Sequence, residues 1–561
     1  MQVRPWLKYY DPGVPLSIDY PHISVPQMLT ASAIKNPHQP CTIFSGAAIT
    51  YQEMDQLTDQ LAIALILHGA KPGDRVGIML PNIPQFVLAY FAILKAGAVV
   101  VAINPQYKSR EIEFQLKDSG ILTIIALADT YPLLDQLRAT TDLKAIILTN
   151  ISEQFSPGAS PPDKLENRAQ HLECIPLVYP DTWLSESIAL APANVSPGIT
   201  IDPEDSALFQ YSGGTTGTPK AAIATHRNLV ANAYQMRHWL VNTYEGQETV
   251  LMAIPLFHVY GMVCGMLYAI QLGAAMVLIH EPRNIPEIMR SIQEYKATVF
   301  HGVPNLFNAL NGHPDALSGK YTLTSIKACI SGSAPLMRET KARFEALTGG
   351  KVCEGYGLSE APTATHCNPV LGENRTGSIG LPLPDVDCRI VSLEDGITEL
   401  VVGEVGELIL RGPQVMKGYH QLPDETGIAL RDGWLYTGDI ARMDADGYFY
   451  LVDRKKEVIK PGGFQVWPRE VEEIIASHPK VKEVGVAGVM DSQGSELFKA
   501  WVVLKRGESL APEDIHVFCR QQLVSYKVPS LVEFRDELPR TTVGKILRRE
   551  LVRQHKESLQ D

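Results

Sequence analysis

The stretch Tyr211-Ser212-Gly213-Gly214-Thr215-Thr216-Gly217-Thr218-Pro219-Lys220 gathers three glycines, four aliphatic hydroxyls and one lysine within ten residues. Glycines let successive backbone N–H groups converge, the hydroxyls add donors and the lysine adds a point charge, a combination suited to gripping a polyphosphate. The apolar run Ala207-Leu208-Phe209-Gln210 before it reads as a buried strand. A Walker A loop carries its lysine directly after the last glycine. Here Thr218 and Pro219 separate Gly217 from Lys220, so the standard P-loop pattern is not met. Taken alone, the ten residues also read as a flexible surface loop.

Four further clusters carry groups able to do chemistry. Pro255-Leu256-Phe257-His258-Val259-Tyr260-Gly261 sets a single imidazole in a long apolar stretch, where a histidine is otherwise a satisfied core residue. In Glu354-Gly355-Tyr356-Gly357-Leu358-Ser359-Glu360 an aromatic able to stack on a purine precedes a hard oxygen ligand suited to Mg²⁺. The bland reading is a turn entering a helix whose N-terminus Glu360 favours. Trp434-Leu435-Tyr436-Thr437-Gly438-Asp439, with Arg454 fifteen residues on, offers a carboxylate for ribose hydroxyls or else a turn aspartate. Pro539-Arg540-Thr541-Thr542-Val543-Gly544-Lys545-Ile546-Leu547-Arg548-Arg549 puts a lysine after glycine in a basic tail, a cleft-entering cation or a surface charge.

The elements that must position these groups follow from size and patterning. A chain of 561 residues exceeds one hydrophobic core and predicts two or more domains. A hydrophobic fraction of 45% with 20% charged residues is that of a globular protein, and the net charge of -12 excludes a general nucleic-acid binder. Eight scattered cysteines without a C-x-x-C pair suit neither a zinc module nor a disulfide framework and point to a reducing, cytoplasmic setting. The residues from Met1 to Trp6 predict no signal peptide, and Ser558-Leu559-Gln560-Asp561 is not a peroxisomal tripeptide. Thr249 to His280 lacks Asp, Glu, Lys and Arg, but Pro255, Gly261, Gly265 and Gly273 divide it into a buried strand, loop, helix and strand. Peripheral membrane contact and a homodimer stay open.

After an irregular lead-in with one helix near Ser24–Ile34, short apolar strands alternate with helices. Arg75–Leu80, Ala98–Ile103, Leu122–Leu127 and Leu143–Thr149 read as strands, with Ile83–Ala96 and Arg110–Asp118 as helices between them. This predicts α/β architecture with a parallel sheet covered on both faces. Ser152 to Pro203 is a proline-rich excursion; the alternation resumes with a helix at Arg227–Trp239 and strands at Val299–Val303 and Ile326–Ser331. From Gly377 to Gly418 short β-rich runs predict a small barrel-like subdomain. The polar run Asp453-Arg454-Lys455-Lys456-Glu457 marks a break. It divides a large N-terminal domain, 1–453, from a small mobile α+β C-terminal domain, 454–561, with helices at Pro468–Ser477 and Ala511–Leu523 and strands at Val484–Val489 and Lys499–Lys505.

The five clusters in this order and spacing resemble the adenylate-forming superfamily of acyl-CoA synthetases, 4-coumarate-CoA ligases, firefly luciferase and peptide-synthetase adenylation domains. The resemblance runs from about Thr50 to Leu551. It is nearest to bacterial long-chain fatty-acid-CoA ligases, through Ile254-Pro255-Leu256-Phe257-His258, Val303-Pro304-Asn305-Leu306-Phe307-Asn308-Ala309-Leu310 and Val532-Glu533-Phe534-Arg535-Asp536-Glu537-Leu538-Pro539. The resemblance implies that a carboxylate attacks the α-phosphorus of ATP to give acyl-AMP and pyrophosphate, and that the thiol of CoA then displaces AMP. It implies Ser212, Gly213, Gly214, Thr215 and Thr216 on the β- and γ-phosphates, supported by Lys220. Mg²⁺ would lie near Glu360 and Thr215, AMP against Glu354, Gly355, Tyr356 and Ser359, and the ribose on Asp439 and Arg454. Lys545 would meet the α-phosphate and the substrate carboxylate, with His258 bordering the latter. A second pose, reached by rotation about Lys456, would bring in Lys460 and Gln465 toward AMP and Gly462 and Gly463 along pantetheine, with Arg283 toward the CoA phosphates. A carrier-protein-loading acyl-AMP ligase and an aryl-CoA ligase share the pattern. A P-loop-type kinase and a non-catalytic nucleotide-binding scaffold are further alternatives. Ala221 stands where the family usually has glycine, Arg540 where it has lysine, and Met262 where some long-chain members place a tryptophan gate.

Overall fold

The computed structural model describes residues 4–153, 177, 179–212, 219–459, 466–490, 496–541 and 544–558. Two large sheets organise the chain up to Arg454. In one, the strands Val99–Ala102, Arg75–Met79, Thr123–Leu127, Ala145–Thr149 and Thr182–Trp183 are joined in parallel to Ser206–Ser212 through Val99–Ala102. Lys220–Thr225 and then Gly418–Tyr419 extend that edge antiparallel. In the other, Pro40–Phe44, Ala275–Leu278, Thr249–Met252, Val299–Phe300, Ala328–Ser331 and Lys351–Leu358 run parallel in that order. Antiparallel strands close it at both ends, Ala47–Thr50 on one side, Ala361–Cys367 and Leu381–Pro382 on the other.

Side-chain alternation along the strands sorts the core into layers. Val100 and Ala102 face a shared interior with Val250, Met276 and Val299 of the second sheet, while Val99 and Val101 turn outward with Ile124, Ile146 and Leu148. The helices Ser109–Ser119 and Tyr131–Leu137 cover that outer face through Ile112, Leu116 and Leu134. On the far side of the second sheet, Leu251, Val277 and Phe300 meet Ile288, Phe307 and Phe344 of three covering helices. Both faces of each parallel sheet are thus buried, which is why its strands read as continuous apolar runs. The central helix Pro84–Lys95 is buried from Gln85 onward, and its one cation, Lys95, is held at 2.7 Å by Asp55 and by Asp59.

Thr249 to His280 forms a strand, a turn, a helix of wide π pitch (Tyr260–Leu267), an α-helical end (Tyr268–Leu272) and a strand, and every residue of both helical pieces but Gln271 is buried. No described helix is long and apolar enough to cross a membrane. The β-rich segment becomes a five-stranded antiparallel sheet of Asp387–Val391, Gly406–Arg411, Leu430–Arg431, Trp434–Met443 and Phe449–Arg454. Beyond it a three-stranded sheet, Val481–Met490, Glu496–Leu504 and Leu531–Phe534, has its own two apolar layers, built only from residues after Val458. None of the seven described cysteines forms a disulfide.

Several elements differ from the sequence expectation. A helix at Tyr51–Leu67 was not read from the sequence; it starts at a capping box in which Thr50 Oγ1 accepts from the Glu53 N–H at 3.2 Å and Glu53 Oε2 accepts from the Thr50 N–H at 2.8 Å. Glu360 begins no helix: it sits in the tight turn between Lys351–Leu358 and Ala361–Cys367. Asp439 is not a turn residue but lies within the strand Trp434–Met443. The basic tail after Lys545 is the helix Arg548–Glu557, docked on the three-stranded sheet through Leu551.

Candidate functional site

The phosphate-loop stretch begins and ends on paired strands. Ser212 lies opposite Lys220, so the chain leaves and re-enters the same sheet edge. Gly213, Gly214, Thr215 and Thr216 lie outside the described residues, as do Lys460, Gly462, Gly463 and Gln465. Lys220 pairs with Glu425 and stands 5.4 Å from the centre of the Tyr419 ring. Ala221 is fully buried against the outer core layer, which gives its extra methyl a packing role.

The Glu354–Glu360 segment is the rim of the second sheet. Glu354 is buried, and both its oxygens are taken by backbone: Oε1 accepts from Leu336 at 3.0 Å and Oε2 from Gly377 at 2.9 Å. Burial raises its pKa, and the two N–H donors oppose that rise. Its carboxylate therefore fastens the segment after Ser331 and the Gly377 turn to the strand end. Gly355 lies opposite Cys367, and Tyr356 donates its hydroxyl to Asp439 Oδ2 at 2.5 Å. At Gly357 an added Cβ would fall 1.5 Å from the Thr363 carbonyl oxygen, so only glycine fits. Ser359 and Glu360 follow in the turn, and Glu360 Oε1 accepts from the Tyr419 hydroxyl at 2.9 Å.

Asp439 and Arg454 face each other across the register of Trp434–Met443 and Phe449–Arg454, and their side chains pair at 2.6 Å. Lys545 enters this group from the C-terminal unit. Its backbone closes a turn in which the Thr541 N–H donates to the Lys545 carbonyl at 2.8 Å and Gly544 adopts φ +83°. Arg540 fastens the turn by donating to the Gly544 carbonyl at 2.6 Å and pairing with Glu483 at 2.7 Å. The arginine at this departure from the family pattern is thus structurally engaged. Lys545 is exposed, and its ammonium lies within electrostatic reach of Arg454, Asp439 and Glu360; desolvation, with help from Arg454, lowers its pKa, and the two carboxylates resist.

His258 lies within electrostatic reach of Lys545. Asn82 braces the segment before it, donating to the Met252 and Ile254 carbonyls at 2.9 Å each and accepting from Leu256 at 2.8 Å. The His258 Nδ1 accepts from the Tyr260 N–H at 3.2 Å, so the neutral ring carries its proton on Nε2. Burial, then the charge of Lys545, lowers its pKa to about 4.

Lys456 is exposed in the turn after the last strand of the five-stranded sheet, and its charge helps to lower the Glu425 pKa, after the larger effect of Lys220. Nearby, Arg548 pairs with Glu457 and, at 2.7 Å, with Glu472, and approaches Asp453 at 3.5 Å. Asp453 also accepts from the Arg469 N–H at 2.7 Å. Arg283 is exposed in the turn before the helix Ile285–Tyr295, and among the described residues no hydrogen bond or ion pair joins it to the other site residues.

Five chain-distant segments thus converge: the end of the phosphate loop, the Tyr356–Glu360 rim, the Asp439–Arg454 pair, His258 and Lys545. No cluster of three metal-ligating side chains occurs among the described residues. Glu360 offers one carboxylate whose Oε2 accepts no hydrogen bond among them, a donor set that suits a cation shared with phosphates rather than a closed protein cage. Sequence reasoning missed Tyr419, Glu425 and Asp453. Tyr419 follows the glycine that ended the β-rich run and stands seven residues before Thr426, which caps its backbone, a local signal that was available.

Comparison with known proteins extends this picture. The profile of the AMP-binding enzyme family matches residues 29–420, and that of the AMP-binding enzyme C-terminal domain matches 470–545. The chain is 42% identical to a long-chain-fatty-acid–CoA ligase of Bacillus subtilis, over 99% of both chains. It is 38% identical to the enzyme of that name from Escherichia coli O157:H7, over 97% of both. An ATP-bound crystal structure of MatB from Rhodopseudomonas palustris superposes with a TM-score of 0.83 at 26% identity, covering 95% of this chain and 99% of that one. A Mycobacterium tuberculosis fatty acyl CoA synthetase gives 0.73 at 26% identity with the same coverage.

Proposed function

Because the chain belongs to the AMP-binding enzyme family, we propose that it is an ATP-dependent fatty acyl-CoA ligase acting on medium- or long-chain acids. The observation that carries this reading is Lys545, borne on a turn of the C-terminal unit that Arg540 fastens, with its charge within electrostatic reach of Arg454, Asp439, Glu360 and His258. An AMP-forming ligation needs a cation where the attacking carboxylate and the α-phosphate bring negative charge together. Lys545 supplies it and, as an ammonium, lowers the energy of the pentavalent arrangement more than that of the separated reactants. The neutral His258 offers Nε2–H to the acyl carboxylate without adding charge.

In this reading Ser212, Gly213, Gly214, Thr215 and Thr216 hold the pyrophosphate leaving group, and Asp439 with Arg454 takes the ribose. Tyr356 and Gly355 border the base, with Glu354 shaping that wall rather than touching nucleotide. A Mg²⁺ held by Glu360 and Thr215 would neutralise phosphate charge. Thioester formation requires CoA at the same carbonyl carbon, so Lys545 withdraws by rotation of residues 454–561 about Lys456. Lys460, Gln465, Gly462, Gly463 and Arg283 then serve the second step. The test is product analysis with acids of graded chain length, ATP and CoA. AMP and pyrophosphate, with acyl-CoA only when CoA is present, are expected; ADP, or turnover indifferent to CoA, would overturn the reading.

A further inference from the structure

We propose that Tyr419 is a positioning residue of the nucleotide site, fixing Glu360 through its hydroxyl and spacing Lys220 from it through its ring; the inference rests on the reading of Glu360 and Lys220 given above.

The backbone of Tyr419 is held from every side. Tyr419 pairs with Ala222 as an added edge strand, and the neighbouring N–H groups of Lys417 and His420 donate to Ile223 at 2.8 Å and Ala221 at 2.9 Å. Its own N–H donates to Thr426 Oγ1 at 2.9 Å. Gly418 before it adopts φ +149°, and a Cβ there would lie 2.8 Å from Thr426 Cγ2. The Met416 N–H reaches the Glu360 carbonyl at 2.8 Å. Residues 416–420 therefore zip the Glu360 turn to the strand that begins with Lys220.

The side chain of Tyr419 repeats this bridge. Its hydroxyl donates to Glu360 Oε1 at 2.9 Å, and Lys220 stands 5.4 Å from the ring centre with its ammonium paired to Glu425. Glu360 stands on a two-residue turn and has several rotamers available; the hydrogen bond selects one. Lys220 thus stands over the ring whose hydroxyl holds Glu360. Without the ring, and without Glu425 to receive Lys220, the two could pair directly. Each would then be neutralised before a nucleotide arrives.

The test uses the full-length enzyme and the variants Tyr419→Phe and Tyr419→Leu. Calorimetric ATP binding over a magnesium titration is expected to show a several-fold higher half-saturating magnesium concentration for Tyr419→Phe. Acyl-adenylate formation should fall about tenfold, the loss typical of one hydrogen bond to a charged group. Thioester formation from supplied acyl-adenylate and the thermal midpoint should match wild type. Tyr419→Leu, lacking the ring as well, should fall further in adenylation alone. Tyr419→Phe with wild-type magnesium dependence and adenylation overturns the proposal. Equal loss of both half-reactions with a lowered thermal midpoint also overturns it, by making the role structural. A wild-type enzyme that forms no AMP and pyrophosphate removes instead the underlying reading, and this inference with it.

Discussion

Lys545 and His258 hold opposite protonation states, and each state follows from its surroundings. Desolvation and Arg454 lower the lysine pKa while Asp439 and Glu360 hold it charged. The protonated form is lost as pH rises through a pKa below the ordinary lysine range. Adenylation should therefore fall on the alkaline side with a midpoint below 10.5, read from kcat/KM for ATP against pH. His258, with its pKa near 4, stays neutral from mildly acid to alkaline pH, so no inflection near 6.5 should be assignable to it. A His258→Gln variant should retain the shape of the profile. Lys545→Ala should lose adenylation by about two to three orders of magnitude, as for a removed electrostatic stabiliser. Thioester formation from supplied acyl-adenylate should persist, and equal loss of both half-reactions would refute the division of labour between the two poses.

At the scale of elements, the hairpin Lys351–Leu358/Ala361–Cys367 brings Tyr356 to Asp439 and Glu360 to Tyr419, and Gly357 permits its close approach. Gly357→Ala should destabilise the protein by about 3 kcal/mol in chemical denaturation, because the clash is with backbone rather than a yielding side chain. A loss under about 0.5 kcal/mol would mean that the hairpin shifts freely. The parallel strands were legible because both faces are buried and each becomes a short apolar run. Tyr51–Leu67 was missed although Thr50 and Glu53 spell its capping box and only Thr58 interrupts its buried apolar face. The hairpin at Glu360 was not legible, because glycines bracketing an aromatic fit a helix-entering turn equally well.

For the whole molecule, burial leaves four histidines neutral: His226, His258 and His301 near pKa 4 and His366 near 3. In the unfolded chain each returns to about 6.5. Below that value the unfolded state binds more protons than the folded one, so stability falls as pH drops from about 6.5 toward 4. The thermal midpoint should decline across that window, and His366→Asn should flatten the decline; a midpoint constant from pH 7 to 4.5 would contradict it. The same scale sets the link between the two units. Asp453, on the last strand before the Lys456 turn, accepts from the Arg469 N–H and faces Arg548, so the link on either side of the proposed pivot is polar and reversible.

The residue types and their spacing determined the chemistry available to this protein and the class of fold that carries it, because glycine-rich turns, apolar runs and caps are local properties of the chain. The tertiary structure decided which charged groups are spoken for. Lys220 is held by Glu425 across 205 positions, Tyr356 by Asp439 across 83, and Glu360 by Tyr419 across 59. Glu354, expected at the nucleotide, gives both oxygens to backbone N–H groups. A side chain's partner, and with it its charge and freedom, is set by which distant strand arrives beside it; no spacing within a motif encodes that.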